Sequence, residues 1–104
     1  MGAAEAEYCQ LTLAPKLASK AAVELYAQLK EHRGSMVALN ASGVEQLGIL
    51  CMQIIVSAAK TWNDEGVSFE VVEPSAAFVE SAELVGLDVA LMGVQSEWSE
   101  TNDA

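Results

Sequence analysis

Positive charge is scarce in this chain. Five Lys and Arg stand against fifteen Asp and Glu among 104 residues, a formal net charge of −10. Nucleic-acid recognition depends on cations that neutralise phosphates, so no nucleic-acid partner is expected, nor adhesion to an anionic membrane surface. The acidity instead suits a small soluble protein. Histidine occurs once, and the two cysteines, Cys9 and Cys51, are far apart with no CxxC spacing. No metal site is therefore expected, and the thiols are expected to be free and buried, as in a reducing cytoplasm. No apolar run approaches the ~18 residues of a membrane span, so membrane insertion is not expected. The opening residues MGAAEAEYCQ carry neither the basic region nor the apolar core of a signal peptide, so no signal peptide and a cytoplasmic location are expected. Asn40-Ala41-Ser42 fits the glycosylation sequon, a match without meaning unless the chain is secreted. There is no P-loop, GxGxxG, nucleophile elbow or Cys–His pair with a supporting acid. Neither an enzyme nor a cofactor is expected.

What is present is a core. Half of the residues are apolar (52%) and only 19% are charged, which excludes a disordered segment. The length suffices for one domain without staples. Tyr8 to Leu13 is rich in strand formers and stops at Pro15. Residues 1–7 are small and acidic, a frayed end or weak edge strand. From Ser19 to Arg33 the period turns helical, with Ala18, Ala22, Leu25 and Leu29 on one face. Ser19 is placed as N-cap and Gly34 as C′ glycine; His32 and Arg33 meet the negative end of the helix dipole, with His32 in solvent. Met36 to Leu39 is apolar without alternation, as in a strand buried on both faces. A second helix spans Leu47 to Asn63, a strand Val67 to Val72, and a third helix starts with Pro74 at its first position and ends at Gly86. Val89 to Met92 is read as a last short strand. Residues 94–104 read as a polar tail after a domain over 1–93, with Trp98 docking on the domain or on a partner. The alternation predicts an α/β fold, a small mixed sheet of about four to five strands with helices packed against it and neighbouring strands mostly parallel.

The second helix carries more apolar residues than one face needs. At 100° per residue, Leu47, Leu50, Cys51, Ile54, Ile55, Ala58 and Trp62 gather on one side, the expected core. Ile49, Met52, Gln53, Val56 and Lys60 gather on the other, where a surface helix would carry charge. One reading is burial of both sides, by the third helix or the C-terminal tail. The other is an outward apolar stripe for a protein partner, rimmed by Gln53 and Lys60. Met52 suits an adaptable contact, and two copies joined by their stripes would form an isologous dimer.

The order of elements, together with three short motifs, resembles the STAS domain, the fold of bacterial anti-sigma factor antagonists (anti-anti-sigma factors). The family's Leu-Asp-Leu-Ser-x-Val is matched by Leu39-Asn40-Ala41-Ser42-Gly43-Val44. Its strand-Ser-Pro-helix segment resembles Val71 to Phe78, and its hydrophobic-x-Gly-Leu signature resembles Leu84-Val85-Gly86-Leu87. The similarity runs from Tyr8 to Met92. It implies a signalling module that binds an anti-sigma factor, a kinase of the histidine-kinase type or a related ATPase. The family's Asp-Ser-Ser-Gly at a helix start reads Gly48-Ile49-Leu50-Cys51 here, so the phosphorylatable serine aligns with Ile49 and its preceding acid with Gly48. The family's aspartate before the first helix is Ala18. In the family, phosphorylation adds about two negative charges that break the complex; Ile49 has no hydroxyl to accept them. Ser42 is a substitute acceptor, as are Ser57 and Thr61, though Ser42 also fits a turn or capping-box role with Glu45.

The resemblance thus implies an interaction module whose partner-binding residues are Ser42, Gly48, Ile49, Met52, Gln53, Val56 and Lys60. An aliphatic residue at the phosphoserine position also resembles the STAS proteins that accompany bacterial chemotaxis kinases. The alternative is a small STAS subunit docking on the ATPase of an ABC-type lipid transporter.

Overall fold

A computed structural model describes residues 8–94. Residues 1–7, read as a frayed end or weak edge strand, the tail over 95–104 and Trp98 lie outside the described residues. The α/β class is observed, with all strand pairs parallel. Strand β1 (Tyr8–Thr12) pairs with β3 (Met36–Asn40), which pairs with β5 (Phe69–Val72). The register aligns Leu11, Leu39 and Val71 across the sheet. The central position of β3 explains its unalternating sequence, since Val37, Ala38 and Leu39 are all buried. A second sheet consists only of β2 (Lys16–Leu17) and β4 (Gln46–Leu47).

Three α-helices are found among the described residues: α1 (Ser19–Glu31), α2 (Ile49–Asp64) and α3 (Ala76–Leu84). In α1, Ala22, Leu25 and Leu29 face the core as their spacing predicts. Ser19 is the first helical residue and not the cap; Ala18 takes that place without a side-chain bond. Gly34 adopts φ 91°, two residues past the C-cap His32. Trp62, near the end of α2, packs in the core as expected. Its indole N–H donates to the Ser35 carbonyl at 2.7 Å, and its ring lies 5.5 Å from that of Phe69.

Further sequence expectations are corrected. Pro74 does not open α3. Ser75 is the N-cap, and its Oγ accepts from the Phe78 N–H at 3.1 Å while donating to the Val44 carbonyl at 2.6 Å. A hydroxyl that satisfies an orphan helix donor outranks the proline signal. Val89–Met92 is a 3₁₀ helix instead of a strand. Asp88 Oδ1 accepts from the Ala90 N–H at 3.0 Å, and Val89 and Met92, three residues apart, are both buried. That spacing is the 3₁₀ period. Beyond it, Val94 bridges Val71 in parallel, and Val71 N–H donates to the Gly93 carbonyl at 3.0 Å. Val94, read as the start of the tail, is therefore buried against β5.

Candidate functional site

The turn after β3 is built by Asn40. Its Oδ1 accepts from the Ser42 backbone N–H at 2.9 Å and from the Ser42 hydroxyl at 2.7 Å, an Asx turn. Ser42 is exposed but bonded to Asn40, the turn role among the two read for it; α2 starts only at Ile49, so the capping box with Glu45 does not form.

The small β2/β4 sheet fixes where α2 begins. The Gly48 N–H donates to the Leu17 carbonyl at 2.9 Å, and Glu45 and Gln46 N–H both donate to the Pro15 carbonyl. A Cβ on Gly48 would stand 2.9 Å from the Leu17 oxygen, a backbone atom that cannot swing aside. Glycine at 48 is thus dictated by the close approach of two chain segments. Gly48 is also the N-cap of α2, which leaves Ile49 as the first helical residue, 51% exposed.

Along α2 the division of faces is rotated from the expected one. Cys51, Met52, Ile55, Ala58 and Trp62 are buried. Met52, expected to look outward, is 3% exposed, and Leu50, expected in the core, is 47% exposed. At 100° per residue the core direction has moved roughly 50° toward Met52. The cause is the chain after α3. Val85 to Leu87 lie beside Met52 and Val56, and the 3₁₀ helix packs on α2, so this side is covered by a segment whose sequence reads as a turn and a strand. Val56 is half-buried; Gln53 and Lys60 are exposed, as expected.

The result is an open groove of about 520 Å³ that brings together five of the seven expected residues: Ile49, Met52, Gln53, Val56 and Lys60. Ser42 and Gly48 do not line it. Sequence reasoning missed Ser57, Val85 and Leu87 on its walls. The two apolar residues flank Gly86 in the hydrophobic-x-Gly-Leu signature, whose exposed Val85 was the available signal. A second groove of about 340 Å³ runs between α1 and α2 and includes Tyr26, Leu50 and Ile54, with Lys30 and Arg33 at its edge. Tyr26, an aromatic on the polar side of α1, marks it in the sequence.

Charge near the grooves is sparse. Lys60 Nζ lies 3.4 Å from Asp64 one turn on. Arg33 pairs with Glu65, its Nε donating at 3.1 Å, and thereby ties the end of α1 to the end of α2. The pair raises the Arg33 guanidinium value and holds the Glu65 carboxyl below its usual range, mainly through their hydrogen bond. Burial pushes the Cys51 thiol up, and its Sγ faces the Ala18 carbonyl at 3.6 Å, the environment of a structural cysteine. The grooves are lined mainly by aliphatic side chains, amide and hydroxyl groups, a chemistry suited to receiving apolar side chains from another molecule. Among the described residues no group of three or more His, Cys, Asp or Glu is arranged to hold a metal ion, and no helix is long and apolar enough to cross a membrane.

No curated protein and no solved structure matches the chain. A family model described as "Mlab, STAS domain" matches residues 2–93. Parallel strands alternating with helices, the Asx turn after the central strand and a helix launched beyond it fit that match, and the chain belongs to the STAS domain family.

Proposed function

We propose that this chain is a non-enzymatic interaction module of the anti-sigma factor antagonist type, acting in the cytoplasm on a regulatory kinase-like or ATPase partner, with chemotaxis signalling as its setting. The contact surface is the start of α2 and the groove beside it, where Ile49, Gln53, Val56 and Lys60 are accessible, Met52 forms the buried floor, and Ser42 and Gly48 shape the approach. The observation that carries this reading is Ile49. It is a large aliphatic side chain, half exposed at the first position of a helix, where polar residues are the norm. By resemblance, this is also the position of the family's phosphoserine. An isoleucine there supports binding that is not broken by phosphorylation at this position.

The second reading, a STAS subunit docked on the ATPase of an ABC-type lipid transporter, is favoured by the Mlab type of the matching family model and by the same missing hydroxyl, which suits a permanent subunit. Affinity capture from native lysate, wild type against Ile49→Asp, tests both. Retention of a kinase-type ATPase supports the first reading and retention of a transporter nucleotide-binding subunit the second. Equal capture by the two proteins refutes the assigned surface. Mass spectrometry of the captured chain should find no phosphate; one on Ser42 or Ser57 would show that a switch has moved to a neighbouring hydroxyl.

A further inference from the structure

We propose that Cys9 and His32 form a reactive thiol–imidazole pair, a site for covalent modification by small disulfides and soft electrophiles. The two residues are distant in sequence and joined only by the fold. Cys9 lies on β1 opposite Val37, and His32 is the C-cap of α1. Cys9 Sγ stands 3.5 Å from His32 Nε2, within hydrogen-bond reach for sulfur. Both side chains are half-buried, so the pair is held by packing yet open to a small reagent. In the tautomer with Nε2 unprotonated, the thiol donates to the ring. The imidazole sits at the C-terminal end of α1. The neighbouring cation, Arg33, is engaged by Glu65. The other thiol, Cys51, has none of this: it is fully buried and faces a backbone carbonyl.

The chemistry balances without an outside oxidant beyond the disulfide itself. The Cys9 proton passes to His32 Nε2, and the thiolate attacks one sulfur of a small disulfide. The disulfide bond breaks as the Cys9 mixed disulfide forms, and the departing half leaves as a thiolate; His32 then gives its proton to that thiolate or, where the leaving thiol is as acidic as a nitrobenzoate thiol, to solvent.

The test treats the native full chain with an aromatic nitrobenzoate disulfide, follows the released coloured thiolate, and locates the modified cysteine by mass spectrometry. The native chain should react at one site, Cys9, faster than Cys9 of the same chain in concentrated urea. His32→Gln, which keeps a polar side chain but cannot accept the proton, should slow native Cys9 by at least about fivefold, a modest share of what a positioned base supplies. Circular dichroism establishes that the variant is folded. Reaction of native Cys9 no faster than in urea overturns the proposal whether or not the variant folds. An unchanged rate in folded His32→Gln overturns it as well.

Discussion

Ile49 and Met52 lie three residues apart on one line of α2, and the same substitution should affect them in opposite ways. Aspartate at either position adds one negative charge to an already acidic chain, so general charge repulsion cancels in the comparison. Ile49 is about half exposed. Full burial of an isoleucine is worth roughly 1.5–3 kcal/mol, so its removal forfeits about 1 kcal/mol. Against this, the first turn of α2 holds no acidic residue, and a carboxylate at the helix start gains about 0.3–1 kcal/mol from the dipole. Ile49→Asp should therefore stay within about 1 kcal/mol of wild type. Met52 is 3% exposed. Its replacement loses a burial term of roughly 1.5–3 kcal/mol and adds the desolvation of a carboxylate, several kcal/mol more. A loss of at least about 4 kcal/mol is expected, close to the whole stability of a marginal domain. Urea unfolding followed by circular dichroism reads both values. In a thermal scan the second variant should melt at least about 16 °C lower, at about 4 °C per kcal/mol. Similar responses from the two variants would refute the rotated placement of α2, and with it the claim that Ile49 is free to meet a partner.

Gly48→Ala should cost about 1–3 kcal/mol by overpacking against the Leu17 carbonyl, whereas Gly43→Ala, with no heavy atom within 4 Å, should not; paired urea titrations check the contrast. Trp62→Phe should lose about 2 kcal/mol, because the Ser35 carbonyl keeps no indole donor and the smaller ring leaves space beside Phe69; denaturation of the two proteins measures it. Glu65→Gln should destabilise at neutral pH and low salt and not in acid. Arg33 holds the folded-state Glu65 value below 4.5, so the pair contributes above the unfolded value and its contribution disappears as pH falls through the lowered one. Stability of both forms measured across that acid range, and again in high salt, should show the difference close.

The parts legible in the sequence are those with a strong local period. The amphipathic spacing of α1, the unalternating Val37-Ala38-Leu39 of a central strand and the alternation of element types lead to the parallel α/β architecture directly. Strands β2 and β4 escaped because two residues carry no period, and what pairs them is a backbone juxtaposition between distant segments. Val89–Met92 escaped because a short apolar run fits a strand and a 3₁₀ turn equally until the Asp88 cap is seen. On α2 a helical wheel shows that two faces are apolar without showing which neighbours cover them. The segment after α3 covers Met52 and Val56 and leaves Leu50 open, a tertiary effect with no local trace. The Cys9–His32 contact was invisible for the same reason.

The start of α2 couples fold to function through its backbone. The resemblance sets an aspartate and a serine at 48 and 49, the acid and the acceptor of a phosphorylation switch. Here the first position lies so near the Leu17 carbonyl that even a Cβ must displace it. Restoring the acid alone would therefore strain the β2/β4 join before it altered any charge. Restoring the serine alone would remove the exposed aliphatic group that the proposed partner meets. Each single substitution carries a cost: strain against the Leu17 carbonyl at 48, and at 49 the loss of the group the proposed partner meets. On the proposed reading, control of this module then lies in the availability of its partner or in the nearby hydroxyls of Ser42 and Ser57, and a complex formed through Ile49 should persist when the partner is supplied with ATP. Rapid release on addition of ATP, with no phosphate on either serine, would contradict that coupling.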